Sequence, residues 1–267
     1  MNIFFHEFKS YARSVGIWSA ANFLIILIYF SAFNSIAVEV AELEELLGSF
    51  PEELLIAFGL NDMDFTSLLG FFGVVFLFCQ ICLAIQASNY GFSLVSIEER
   101  ELTADFLLPK PISRRGILTA KLLAAFLALT ITNLAVWAGS FFVINLVRDG
   151  RTYDANALIL ILSTIVFFQL FFLLAGVVIS LLMKRIRNVI PLSMALSFGM
   201  YILNIFGTML GDDYLEVISP FRHFDPNYIL AHRAYDFPLA WISLAFILIA
   251  VPASYFLYQK RDIAAAV

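Results

Sequence analysis

Residues 65–97 read FTSLLGFFGVVFLFCQICLAIQASNYGFSLVSI, 33 positions without one Asp, Glu, Lys or Arg. As a helix rising ~1.5 Å per residue, such a run is about 50 Å long, more than a ~30 Å hydrocarbon core needs. It must tilt or continue past Tyr90 and Gly91 into the aqueous phase. Working outward, five more uncharged stretches of at least 21 residues lie at 17–37, 122–147, 155–183, 188–211 and 237–259. A charge at the centre of a spanning helix costs on the order of 2.5–3.5 kcal/mol, which accounts for their exclusion. The sequence therefore describes an all-α, polytopic membrane protein with six transmembrane helices. Its spans are expected at about 17–37, 67–95, 120–147, 156–183, 188–210 and 237–259, in one domain covering 1–267. No gap between spans is large enough for a folded soluble domain.

The gaps differ in charge. The N-terminus, the gaps after the second and fourth spans, and the C-terminus hold 12 of the 16 Lys and Arg; the other side holds Arg148, Arg151, Arg222 and Arg233. Of the acids, 6 lie on the first side and 15 on the second, giving net charges of +6 and −11. The positive-inside rule makes the first side cytoplasmic, with both termini inside. A basic cytoplasmic face implies anionic lipid headgroups as its partner, not nucleic acid. The N-terminus lacks the pattern of a cleaved signal peptide, and its first apolar stretch is long enough to remain as an anchor.

Residues 1–15, MNIFFHEFKSYARSV, put Ile3, Phe4, Phe8, Tyr11 and Ala12 on one helical face and Glu7, Lys9 and Arg13 elsewhere. That spacing predicts an amphipathic helix in the cytoplasmic headgroup region, serving as an anchor or as a docking element. The acidic external gap 38–64 predicts two short surface helices, with Ser49 and Glu52 as a capping box, Pro51 in the first turn and Gly59 at the stop. Pro191 falls in the first turn of the fifth span and Pro252 inside the sixth. Cys79 and Cys82 sit in hydrocarbon without further Cys or His, which describes inert thiols and not a metal site. Amides inside the spans, among them Asn22, Gln80, Gln86, Asn133 and Gln169, are expected to bond across helices or line a polar path.

The gap after the second span, SIEERELTADFLLPKPISRRGILTAK (96–121), carries the functional information. Glu98, Glu99, Arg100 and Glu101 form a charged cluster. Thr103 to Leu108 then form a short amphipathic turn whose apolar patch is Phe106, Leu107 and Leu108. Pro109 and Pro111 end it, since each removes a backbone donor and disfavours helix in the preceding residue. Ser113, Arg114 and Arg115 lead into the third span. A stiff apolar patch with a charged rim suits a cytoplasmic protein that grips it. By itself it suits an interfacial helix resting on lipid equally well.

This segment resembles the cytoplasmic loop of type-2 ABC transporter permeases, the ABC-2 superfamily. The likeness rests on Glu99, Arg100 and Glu101, then Thr103, Ala104, Asp105, Phe106, Leu107 and Leu108, then Pro111, Ile112, Ser113 and Arg114, with Lys121 beyond. Leu102 departs from it, standing where many members have glycine. The stretch SPFRHFDP (219–226) resembles a segment many bacterial members carry before the sixth span, so the likeness covers essentially the whole chain. It implies a six-span permease of the cell (inner or plasma) membrane, pairing with a second, identical or related permease subunit. Two copies of a cytoplasmic ABC ATPase would drive it. The loop would be the coupling helix, with Glu98, Glu99, Arg100, Asp105, Phe106, Leu107, Leu108, Pro111, Ser113 and Arg114 as its ATPase-coupling residues. ATP and Mg would be bound by that partner and no cofactor by this chain, which has no G-x-x-x-x-G-K-[ST] phosphate loop. Export is the family's usual direction. The spans, with aromatic and amide groups and no charges, favour lipidic or amphipathic cargo.

Besides a metal site on the external side, three other readings compete. Glu98 and Glu99 with His223 or His232 resemble the Glu/His chemistry of CAAX-type intramembrane proteases, but the topology sets them on opposite sides of the membrane. His223, Asp225 and His232 lack a fourth metal ligand. A secondary transporter usually carries ionisable residues in its spans, and these spans carry none. A membrane scaffold without transport is the third.

Overall fold

A computed structural model describes residues 3–38, 46–57, 60, 67–100, 113–183, 186–211 and 213–261, which contain helices and no strand. In chain order the helices are α1 (Ile3–Val38), α2 (Glu52–Ala57), α3 (Leu68–Arg100), α4 (Arg114–Val147) and α5 (Ala155–Leu182). They continue as α6 (Val189–Leu210), α7 (Asp213–Ile218), α8 (Pro220–His223), α9 (Pro226–His232) and α10 (Phe237–Lys260). Six of them, α1, α3, α4, α5, α6 and α10, are long and apolar enough to span a membrane. They alternate in direction, so that the described start of α1 and the end of α10 share one end of the bundle, here the terminal end.

Two helices form the centre. In α3 and α5, 67% of the most apolar stretch is buried within the protein, against 17% in α1 and α6 and 22% in α10, which leaves the outer three to meet lipid. Helix α1 lies along α4, α3 lies along α5, α6 packs on α3 and α10 on α5. The central pair touch backbone to backbone. A Cβ placed on Gly91 would lie 2.2 Å from the Leu173 carbonyl oxygen, and one on Gly176 would lie 2.8 Å from the Ser88 carbonyl oxygen. In hydrocarbon, apolar side chains gain little by meeting one another, so close helix approach through small residues supplies much of the packing energy. Around this crossing, Ser88 and Ser197 share a 3.2 Å hydrogen bond between α3 and α6. Phe168, Phe171 and Phe172 stack with neighbouring rings farther along α5.

Residues 3–15 form no separate interfacial helix: α1 runs unbroken from Ile3 to Val38. Its first turns pack in the bundle, because Tyr11 and Val15 are buried and Glu7 turns inward to a partner on α4. In the 38–64 gap the described residues contain α2, while Leu43 and Gly59 lie outside them. The Ser49 hydroxyl donates back to the Leu46 carbonyl at 2.5 Å, and the Glu52 side chain, the other half of the expected capping box, lies outside the described residues. Pro191 lies in the first turn of α6, and α10 runs through Pro252.

The stretch between α6 and α10 departs from the expected surface loop. Gly211 ends α6 at φ 61°, a left-handed conformation that costs glycine nothing, and α7 turns back against α6 at Gly207. At the tip, the Ser219 hydroxyl donates to the Met200 carbonyl at 2.8 Å, ten residues or about 15 Å back along α6. Gln80, twelve residues or about 18 Å into α3, donates to the Phe224 carbonyl at 3.0 Å. Phe221 packs on Phe168 and Phe172 of α5. Helices α7 to α9 therefore form a hairpin that re-enters the bundle to about half its depth. It is held there by the buried Pro220, Phe221, Phe224 and Pro226, by the Gln80 bond to the Phe224 carbonyl, and by partners for its Arg222, His223 and Asp225 side chains.

The glycine crossing is testable. Gly91→Val or Gly176→Val should force α3 and α5 apart and cost about 1–3 kcal/mol, read as a lowered unfolding temperature of the detergent-purified protein. Gly199→Ala, where a Cβ meets nothing within 4 Å, should be neutral or slightly stabilising.

Candidate functional site

The sequence points to residues 98–114, and the structure describes the two ends of that segment. Helix α3 continues to Arg100, so Glu98, Glu99 and Arg100 belong to its last turns. Asp105, Phe106, Leu107, Leu108 and Pro111 lie outside the described residues. Ser113 caps α4, its hydroxyl accepting from the Gly116 N–H at 3.1 Å. Arg114 opens α4, and its Nη1 donates to the carbonyl oxygens of Arg261 at 2.7 Å and Gln259 at 3.3 Å. Those carbonyls end α10, where the helix dipole favours a cation. Thr119 and Tyr255 share a hydroxyl hydrogen bond of 2.7 Å, and Arg261 donates to the Ser180 carbonyl of α5 at 2.6 Å. The last turn of α10 is thus bonded to the start of α4 and the end of α5.

A second joint lies about 12 Å up α4 from Ser113. Lys121 is 1% exposed, with its Nζ 2.8 Å from the Leu94 carbonyl of α3 and 3.5 Å from Glu7 Oε1 of α1. A buried ammonium is tolerated only when paired and hydrogen-bonded, and here the partners come from two other helices. The polar seam continues inward. The Tyr11 and Tyr90 rings lie 4.3 Å apart, and Tyr90 donates to the Ser14 hydroxyl at 3.0 Å. Gln86 Nε2 donates to the Tyr90 hydroxyl at 3.1 Å and to Thr132 of α4 at 2.9 Å. Both sides of residues 101–112 are therefore sewn to α1 by polar bonds inside an apolar bundle.

Sequence reasoning missed this joint, since it counted Lys121 as a loop charge and set Glu7 off the packing face of a surface helix. A signal was available. Lys121 falls on the stripe of Ile117, Leu118, Ala124, Ala125 and Ala128, all buried, where an unpaired lysine would be untenable. The expectation that polar groups in the spans bond across helices holds for Gln86 and Gln80. Against the expectation that the spans carry no ionisable residue, Glu7 and Lys121 pair inside the helical bundle, and Arg222, His223 and Asp225 of the hairpin lie within it as well.

In the hairpin, Arg222 pairs with Glu216 at 3.2 Å and with Asp225 at 3.3 Å, and its guanidinium lies 5.9 Å from the Tyr228 ring. His223 is buried, not on the surface, with Nδ1 2.7 Å from Ser243 Oγ and Nε2 3.0 Å from the Val217 carbonyl. Asp225 caps α9 through the Asn227 N–H, and His232 ends that helix against the Tyr228 carbonyl. His223, Asp225 and His232 thus have separate structural partners, and no group of three metal-ligating side chains occurs among the described residues. Glu98 lies 18 residues beyond Gln80 on α3, about 27 Å from the level of the hairpin, so carboxylates and histidine do not share a site.

The fold defines a multi-pass helical membrane protein whose second and third spans present an intervening segment at the terminal end of the bundle. The family comparison is specific: the model for "ABC-2 family transporter protein" matches residues 1–263, and the chain belongs to that family of transporter membrane subunits. A search of curated proteins gave no match.

Breaking the buried joint has a calculable cost. Lys121→Met strands the Glu7 carboxylate among apolar groups and should destabilise by about 3–5 kcal/mol. The double variant Lys121→Met with Glu7→Leu should recover part of that loss, because neither charge is then left unpaired. Thermal unfolding of the four proteins of this cycle measures both numbers.

Proposed function

We propose that this chain is the permease subunit of an ABC exporter, with residues 98–114 as the element that receives the stroke of a separate cytoplasmic ATPase. The observation that carries the reading is the family match over nearly the whole chain, set beside a sequence with no phosphate loop of its own. The terminal end of the bundle supports it, because it gathers most of the basic residues and the bonds around Lys121 and Arg114. In this reading the terminal end is cytoplasmic and the membrane is the plasma membrane. Two permease subunits pair over two ATPase subunits, which bind ATP and Mg. Phe106, Leu107 and Leu108 insert into a groove of the ATPase, with Asp105 beside them and Pro111 ending the turn. Glu98, Glu99 and Arg100 form the charged rim, and Ser113 and Arg114 fix its exit into α4. Movement of that segment reaches α1 through Lys121 and Glu7, and α10 through Arg114. Lipidic or amphipathic cargo fits spans that are rich in phenylalanine and poor in charge.

The test is the double variant Phe106→Ala with Leu107→Ala. It removes two anchors worth on the order of 2 kcal/mol or more in an interface hot spot. The protein should insert normally, lose co-purification with its ATPase and lose transport-stimulated ATP hydrolysis. If both are unchanged, residues 98–114 are not the coupling element, and the alternative of a helix resting on lipid is supported.

Orientation is tested separately. Single cysteines at Glu45 and Asp213 should react with an impermeant thiol reagent added to intact cells, and one at Arg187 should not. Labelling at Arg187 reverses the topology.

A further inference from the structure

At the end of the bundle opposite the termini lies a cleft of about 470 Å³, between the start of α3, the loop from α4 to α5, and α9. Its volume is in the range of small-molecule sites. The gaps on this side carry 15 acids against four arginines, yet two of those four, Arg151 and Arg233, line this one cleft with a single acid, Asp154. That acid is already engaged. Its carboxylate accepts from the Asn156 and Ala157 N–H groups as the cap of α5 and pairs with Arg233. Among the described residues Arg151 has no carboxylate partner. It lies 5.1 Å from the Phe33 ring and donates to Asn34 Oδ1 at 3.3 Å, contacts that hold the guanidinium against α1 and leave its charge unneutralised. Ser67, Thr152 and Asn227 supply further hydrogen-bonding groups to the wall, and the first turn of α3 supplies the positive end of a long helix. Leu68, Leu69 and Leu230 make up much of the remaining wall.

We propose that this cleft binds an oxyanion of the phosphate class, with Arg151 as its principal ligand and Arg233, oriented by Asp154, as the second. A planar guanidinium with free donors matches phosphate oxygens by paired hydrogen bonds, and apolar walls suit a ligand whose remainder is carbon. A soluble phosphate compound and the headgroup of an anionic lipid share this chemistry. The site stands apart from the coupling segment and does not depend on which partner drives the protein.

The experiment uses the full-length protein in phosphatidylcholine nanodiscs. It is titrated calorimetrically with inorganic phosphate and with glycerol 3-phosphate, and its retention of phosphatidylglycerol over phosphatidylcholine is followed by native mass spectrometry. Saturable binding of the soluble probes supports the site with a free phosphate compound as ligand. Selective retention of phosphatidylglycerol without it supports the site with a lipid headgroup. In whichever arm responds, Arg151→Gln should weaken binding by about tenfold, the loss of one charged hydrogen-bonding partner, and Arg151→Lys by less. Arg148→Gln removes an exposed cation that does not line the cleft and should change nothing. The proposal is overturned if neither probe binds, or if Arg148→Gln weakens binding as much as Arg151→Gln, which would mean diffuse surface charge.

Discussion

Hydrocarbon offers no hydrogen bonds, so every polar group carried into it must find its partner within the protein. That constraint explains why the spans are helices, and it explains their exceptions equally well. Lys121 enters the packed interior of α4 because the Leu94 carbonyl and the Glu7 carboxylate meet it there. The hairpin of α7 to α9 enters because Gln80 donates to its tip and the Met200 carbonyl accepts from it. In each case the group that would be costly alone becomes a tie between helices that are distant in sequence.

The central contact of α3 with α5 sets where those ties fall. With Gly91 and Gly176 allowing backbones to meet, the two helices occupy the middle, and α1 with α4, α6 and α10 are arranged around them. The hairpin then has a floor, the aromatic surface of Phe168 and Phe172, and walls provided by α3, α6 and α10. A bulkier side chain at either glycine would move the floor as well as the crossing, which makes the architecture sensitive to two residues that carry no chemistry.

The two ends of the bundle are built differently. At the terminal end, cations are spent on carbonyls and one buried carboxylate: Arg114 on the end of α10, Arg261 on α5, Lys121 on α1 and α3. These bonds tie α1, α3, α4, α5 and α10 to one another on either side of residues 101–112. At the opposite end lies a cleft, where no acid among the described residues pairs with Arg151.

Six long apolar helices and the absence of charge from their centres were legible in the sequence, because insertion cost is a local property of composition. So was the family, since the Glu99–Arg114 pattern and the SPFRHFDP stretch are short and contiguous. The helix limits were less so. The first span was expected from 17, after a separate surface helix over 1–15, but a single helix runs from Ile3, because Glu7 pairs with Lys121, more than a hundred residues away. SPFRHFDP was read as a surface stretch for the same reason: Arg222, His223 and Asp225 disfavour burial by composition, and their partners are Glu216, Ser243 and the first turn of α9. The sequence by itself determined which stretches are apolar enough to lie in hydrocarbon. Which charges are buried, and which helices they join, was decided by tertiary structure alone, because the partner that compensates a buried charge is chosen by packing and not by neighbourhood along the chain.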